Sequence, residues 1–197
     1  MGDLLSEWAW RIAQGELAGS SPRRWEHCQG VARQARSLAE VCGDDADLLV
    51  AAAVLHDVGY APRLAVTGFH PLDGARFLRD VHSADGRMVR LVANHSFALL
   101  EAEERGLRQQ LEDEFPLLDN KLLVDALVYC DLTTTPDGAR TSCPARLEEI
   151  LGRYGADSLV GRFIRRAAPQ MTAAVARVSV LLDHAGAECA VCDDQPR

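Results

Sequence analysis

The 197-residue sequence predicts an all-α fold, a helical bundle in a single domain. Three observations carry that expectation. Apolar residues recur at three- and four-residue steps through most of the chain, no segment shows the sustained alternation of a half-buried strand, and helix-starting and helix-stopping residues bracket the periodic runs. The length suits one core, and 48% hydrophobic with 25% charged residues is the composition of a chain that folds rather than one that stays disordered.

Residues 1–20 read as an N-terminal helix packed on the core. The stretch "SPRRWEHCQGVARQARSLAEVCG" opens with Ser21 as a cap and Pro22 at the first helical position, where a missing N–H costs nothing. Its apolar face runs through Trp25, Val31, Ala35, Leu38 and Ala39 to a stop at Gly43, with His27 in the early turns. "DDADLLVAAAVLHDVG" is apolar almost all round, as a central buried helix is, and Gly59 and Pro62 end it with His56 and Asp57 in its last turn. Two brief helices follow, one starting near His70 and one finishing near His95. "EAEERGLRQQLEDEF" has few apolar anchors and reads as a solvated helix or lid-like excursion. "DNKLLVDALVYCDLTTTPDG" reads as a helix capped by Asp119 with Asp131 in its last turn, ahead of a turn at Pro136-Asp137-Gly138. A last helical region from Asp157 to about His184 is expected to break or kink at Pro169. The core thus spans 21–140, C-terminal helices at 141–186 complete the same domain, and 187–197 form a polar tail.

A net charge of -8 argues against a nucleic-acid polymer as partner, since backbone binding calls for clustered excess cations. No run of about 20 uncharged apolar residues is present, so no membrane span is expected and the cytoplasm is the expected location. The six cysteines are expected to be reduced thiols, and the CxxC of Cys189 and Cys192 lacks the second ligand pair of a zinc site.

His27, His56, Asp57, His70, His95 and Asp131 all fall at helix ends, in or beside apolar sequence. Burying unpaired carboxylates is costly, so two of them among four imidazoles make sense chiefly around cations. Imidazole nitrogen with carboxylate oxygen suits Zn, Fe, Mn and similar ions. This order, with His56-Asp57 in "LHDVG" and Asp131 in "VYCDLTTTPDG", resembles the H...HD...D signature of the HD superfamily of metal-dependent phosphohydrolases, an all-helical fold. With "GFHPLDGARFL" and "VANHSF" added, it resembles the two-metal H...HD...H...H...D version. The resemblance implies a helical bundle of the HD-domain type binding two divalent transition-metal ions (Fe, Mn or Zn). His27, His56, Asp57 and Asp131 would hold the first, and Asp57, as the catalytic bridging carboxylate, would link it to a second held by His70 and His95. A hydroxide between the ions would attack a small phosphorylated substrate, a metabolite or nucleotide.

Many two-metal relatives carry a lysine shortly after the HD pair; this chain has Tyr60 there, and Arg63 is the next cation. Tyr60 and Arg63 are therefore candidate phosphate contacts, with Arg23, Arg24 and Thr133 weaker ones. Two other readings stay open: a di-iron HD-type oxygenase acting on an inositol-like or phosphonate substrate, and a binding module with a vestigial site. The sequence leaves the oligomeric state open.

Overall fold

The computed structural model describes residues 4–192, with 186–192 described by their backbone alone, and the described residues form helices without a strand. The organising element is α4 (Ala46–Leu55), in which every residue from Leu48 to Leu55 is buried. A helix apolar on all sides must be covered on all sides. Here α1 (Leu5–Leu17), α2 (Pro22–Arg36), α6 (Gly86–Asn94) and α9 (Lys121–Leu132) surround it. The N-terminal helix buries Ala9, Ala13 and Leu17, and its Ser6 N–H points at the Asp47 carboxylate of α4 at 3.4 Å. Between α4 and α6 runs α5 (His70–Asp80), which starts on Pro71 at its second residue.

Several local expectations are corrected. Ser21 occupies the cap position of α2, but its side chain makes no capping bond. That helix ends at Arg36, and a one-turn helix, α3 (Ala39–Cys42), resumes beyond it, so Leu38 is buried but Ala39 is exposed. The cap of α9 is Asn120, whose side chain accepts from the Leu123 N–H at 3.1 Å, rather than Asp119. The charged stretch after His95 is no free excursion. It forms α7 (Ala98–Glu104) and α8 (Arg108–Glu114), split at Gly106 with φ +71°, and buries Glu101, Ala102, Leu111 and Phe115. Arg76 and Arg79 of α5 hold Glu114, so its many charges serve as interhelix ties.

The C-terminal part consists of α10 (Cys143–Tyr154) and α11 (Leu159–Cys192). No break occurs at Pro169; the helix runs through it and on into the segment expected to be a tail. The lost backbone bond is outweighed by packing on α9, where Ala167, Met171, Ala174 and Val178 are buried. Arg177 adds a two-pronged contact to the buried Asp125 of α9, at 2.7 and 2.8 Å. Cys28, Cys42, Cys130 and Cys143 are buried free thiols, whereas the side chains of Cys189 and Cys192 lie outside the described residues. Among the described residues no helix is long and apolar enough to cross a membrane.

Candidate metal centre

Because α4 is buried to its last residue, the chain leaving it carries polar groups into the interior: His56 and Asp57, just past the helix end, are 1% and 3% exposed. Four other elements deliver their groups to the same point. His27 comes from the second turn of α2, His70 from the first residue of α5, His95 from just beyond α6, and Asp131 from the last turn of α9.

Three of the imidazoles are locked from behind. Nδ1 lies 2.9 Å from the Thr135 carbonyl in His27, 2.8 Å from the Ala53 carbonyl in His56 and 2.7 Å from the Val92 carbonyl in His95. A carbonyl can only accept, so Nδ1 carries the hydrogen and the neutral ring aims the Nε2 lone pair inward. The lone pair of His27 meets another acceptor, and that of His95 meets the ring of His70, which is not held in this way. Nε2 of His27 is 3.1 Å from Asp131 Oδ1, and Nε2 of His70 and His95 are 3.2 Å apart. Nε2 of His56 is buried without a hydrogen-bond partner. Acceptors converging on acceptors are repulsive unless a cation lies between them, and backbone bonds behind the rings are the usual support of ligating histidines. The donor set therefore fits a divalent metal site.

Asp57 stands at its centre, with its two oxygens facing different neighbours. Oδ2 is 3.4 Å from His56 Nε2 and 3.9 Å from His27 Nε2, while Oδ1 is 3.1 Å from His70 Nε2 and 3.8 Å from His95 Nε2. Two groups with metal-ligand spacing result, His27-His56-Asp57 and Asp57-His70-His95, which share this carboxylate. Burial opposes its charge, but Arg24 and His56 outweigh burial and hold it well below the usual carboxylate range. For Asp131, burial is likewise outweighed, by the His27 contact and by His56.

The surrounding residues include several that sequence reasoning underweighted. Arg24 Nη1 donates to Asp57 Oδ2 at 2.6 Å, and its guanidinium lies 4.0 Å above the Tyr60 ring, which stacks on His70 at 3.9 Å. Tyr60 is thus at the cluster. Arg63 is not, being turned outward to Glu16. Arg23 pairs with Asp137 on the surface at 2.7 Å. Thr133 is buried behind the cluster, its hydroxyl donating to the Tyr129 carbonyl at 2.7 Å. Of the adjacent arginines the inward one is Arg24, since successive helical residues point about 100° apart. Ser96 had no signal in the sequence; its hydroxyl donates to Asp131 Oδ2, and it and Phe97 hold φ of 48° and 62°. Two such residues in succession beside the cluster are the kind of backbone strain that collects at functional sites. His82 sits edge-on to Trp8 and Phe77, away from the cluster.

The cluster opens into a cleft of about 230 Å³, whose wall includes Arg24, Tyr60, Arg105, Arg146 and Arg153. No curated protein and no solved structure matches the chain. The sequence model of the HD domain matches residues 24–127, stopping just short of Asp131 and covering α4, α5 and α6 with most of α2 and the first part of α9. That match extends over more than half of the sequence and takes in the buried His-Asp pair at the end of the central helix; the chain belongs to the HD domain family.

Proposed function

We infer that the protein is a phosphohydrolase that holds two divalent transition-metal ions (Fe, Mn or Zn) and cleaves a phosphate ester or anhydride of a small metabolite or nucleotide. HD domains are for the most part metal-dependent hydrolases. The observation that carries the two-ion reading is the division of the Asp57 oxygens between two imidazole pairs. Bound ions supply the Lewis acidity that phosphoryl displacement needs. The remaining roles belong to side chains. Arg24 is positioned at the cleft wall to donate to a phosphate oxygen while it braces Asp57. Burial raises the Tyr60 phenol well above its ordinary range, so it stays protonated and able to donate a hydrogen bond. The enclosed volume suits a small molecule rather than a polymer.

The test is turnover under nitrogen by manganese-loaded protein, over a panel of nucleotides, dinucleotides and sugar phosphates, with released phosphate and oxygen consumption both followed. Phosphate release without oxygen is the expected result. Strict dependence on iron and oxygen, with no ester cleaved, would assign the same six side chains to an oxygenase.

Metal retention should also depend on pH. Burial pushes His70 below the ordinary histidine range and, with help from His56 and His70, pushes His95 down to about 4, so both are neutral ligands at neutral pH. His56 moves the other way, because Asp57 outweighs its burial, and protons therefore compete for His56 first. Since only the unprotonated ring ligates, metal loaded at about pH 8 should be lost progressively as pH falls through about 7 to 5. Elemental analysis after desalting at each pH reads this directly; a flat metal content over that range would exclude labile histidine ligation.

A further inference from the structure

The HD domain match ends within α9, so α10 and α11 lie wholly beyond it, yet they supply the far wall of the cleft. They bring polar side chains, Arg146, Arg153 and Tyr154, together with an apolar patch. Arg146 is only 6% exposed; its Nη1 donates to Glu149, and its Nε is buried with no hydrogen-bond partner. A buried guanidinium with an unused donor is costly, and because Arg146 lines the cleft, an anion bound there would offset its charge alongside Glu149. Beside it the wall is apolar: Phe163 and Ile164 are almost fully buried, with Ile150 and Val160 half-buried next to them. A sugar hydroxyl buried against that patch would be left unpaired, while Arg153 and Tyr154 keep other parts of the wall polar.

We propose that α10 and α11 form a two-part substrate subsite, in which Arg146 donates to a phosphoryl oxygen and the Val160-Phe163-Ile164 wall takes an apolar organic group. The substrate class is then a phosphate ester of an aromatic or otherwise apolar group, in preference to one that carries only a small substituent. This rests on the phosphohydrolase reading and narrows it.

Phenylphosphonate and methylphosphonate present the same anion with and without a ring, and neither is hydrolysed at a P–O ester. Their binding to the manganese-loaded full-length protein is measured by calorimetry. Phenylphosphonate should bind roughly 10- to 100-fold more tightly, the effect of burying one ring. Arg146→Met should weaken both by about 10-fold or more, the loss of a hydrogen bond to a charged group, with Arg146→Lys intermediate. Val160→Asn, at a half-buried position, should reduce the phenyl preference and leave methylphosphonate unchanged. Circular dichroism and metal content check that each variant is folded and loaded. Equal affinities for the two phosphonates, no binding of either, or undiminished binding by a folded Arg146→Met protein would each overturn the subsite. Phosphate release from phenyl phosphate is followed in parallel: a ring preference without hydrolysis supports the subsite and counts against the phosphohydrolase reading, whereas hydrolysis without a preference removes the subsite alone.

Discussion

Asp57→Ala protein is expected to retain less than about one-hundredth of the metal affinity and to lose turnover. Altering a group that merely supports a ligand from behind typically costs 10- to 100-fold, and Asp57 lies within 4 Å of Nε2 in four imidazoles, facing both ligand groups at once. Its removal also leaves the half-buried Arg24 guanidinium without its carboxylate, directly beside the vacated position. Asp131 then stands alone against Arg24, and the cluster loses the excess negative charge that attracts cations. Asp57→Asn keeps the shape but donates from one of the two positions where acceptors are needed, so it should bind metal more weakly than wild type and more tightly than the alanine variant. Metal content by elemental analysis, with competition against a chelator for affinity, measures the series. Near-normal metal content in Asp57→Ala would remove the shared role. Because the apolar core around α4 is unchanged by the substitution, the metal-free variant should still fold, and a circular dichroism melt distinguishes lost ligation from lost structure.

The largest stability effect is expected at Gly59, two residues after Asp57. A methyl group there would stand 2.1 Å from the His70 carbonyl oxygen and 2.7 Å from the Gly74 nitrogen. Both are backbone atoms in the first turns of α5, so no rotamer change relieves the clash and the helix itself must move. Gly59→Ala should destabilise by about 3 kcal/mol, the upper end of the overpacking range, which for a chain of this size lowers Tm by roughly 6–12 °C. Gly15, an exposed residue inside α1 with open space around its Cα, is the internal control. There alanine removes only backbone freedom from the unfolded chain, so Gly15→Ala should raise stability by about 0.5–1 kcal/mol. A melt of Gly59→Ala indistinguishable from wild type would mean that α5 is not seated against the turn after α4. A folded Gly59→Ala protein should also bind metal less tightly, because the displaced backbone carries His70.

The close approach at Gly59 bears on what was legible in advance. That the chain is helical, that α4 is central, and where α2, α5 and α6 begin or end were readable in the order of residues, because 3.6-residue periodicity, caps and stops act between neighbours in sequence. The same local rules put six histidines and aspartates at helix ends, and their order matched a family pattern. They did not reveal that the helix continues through Pro169 or that the helical charged stretch of α7 and α8 is tied down, because burial against α9 and ion pairs with α5 come from residues remote in sequence.

Other features exist only once the helices cross. Whether Arg23, Arg24 or Arg63 faces the cluster depends on the rotation of α2 and on the direction of the turn after α4, which the packed neighbours set. The division of the Asp57 oxygens between two imidazole pairs requires α2, α5 and α6 to arrive on particular sides of the end of α4. The wall of Arg146, Phe163 and Ile164 arises because α11 lies along α9 and carries α10 with it, far in sequence from the histidines it faces. Sequence by itself determined which groups are available and which element holds each; the tertiary structure decided which of them meet, because contact distances depend on interhelix packing, a sum over residues remote in sequence that no local pattern encodes.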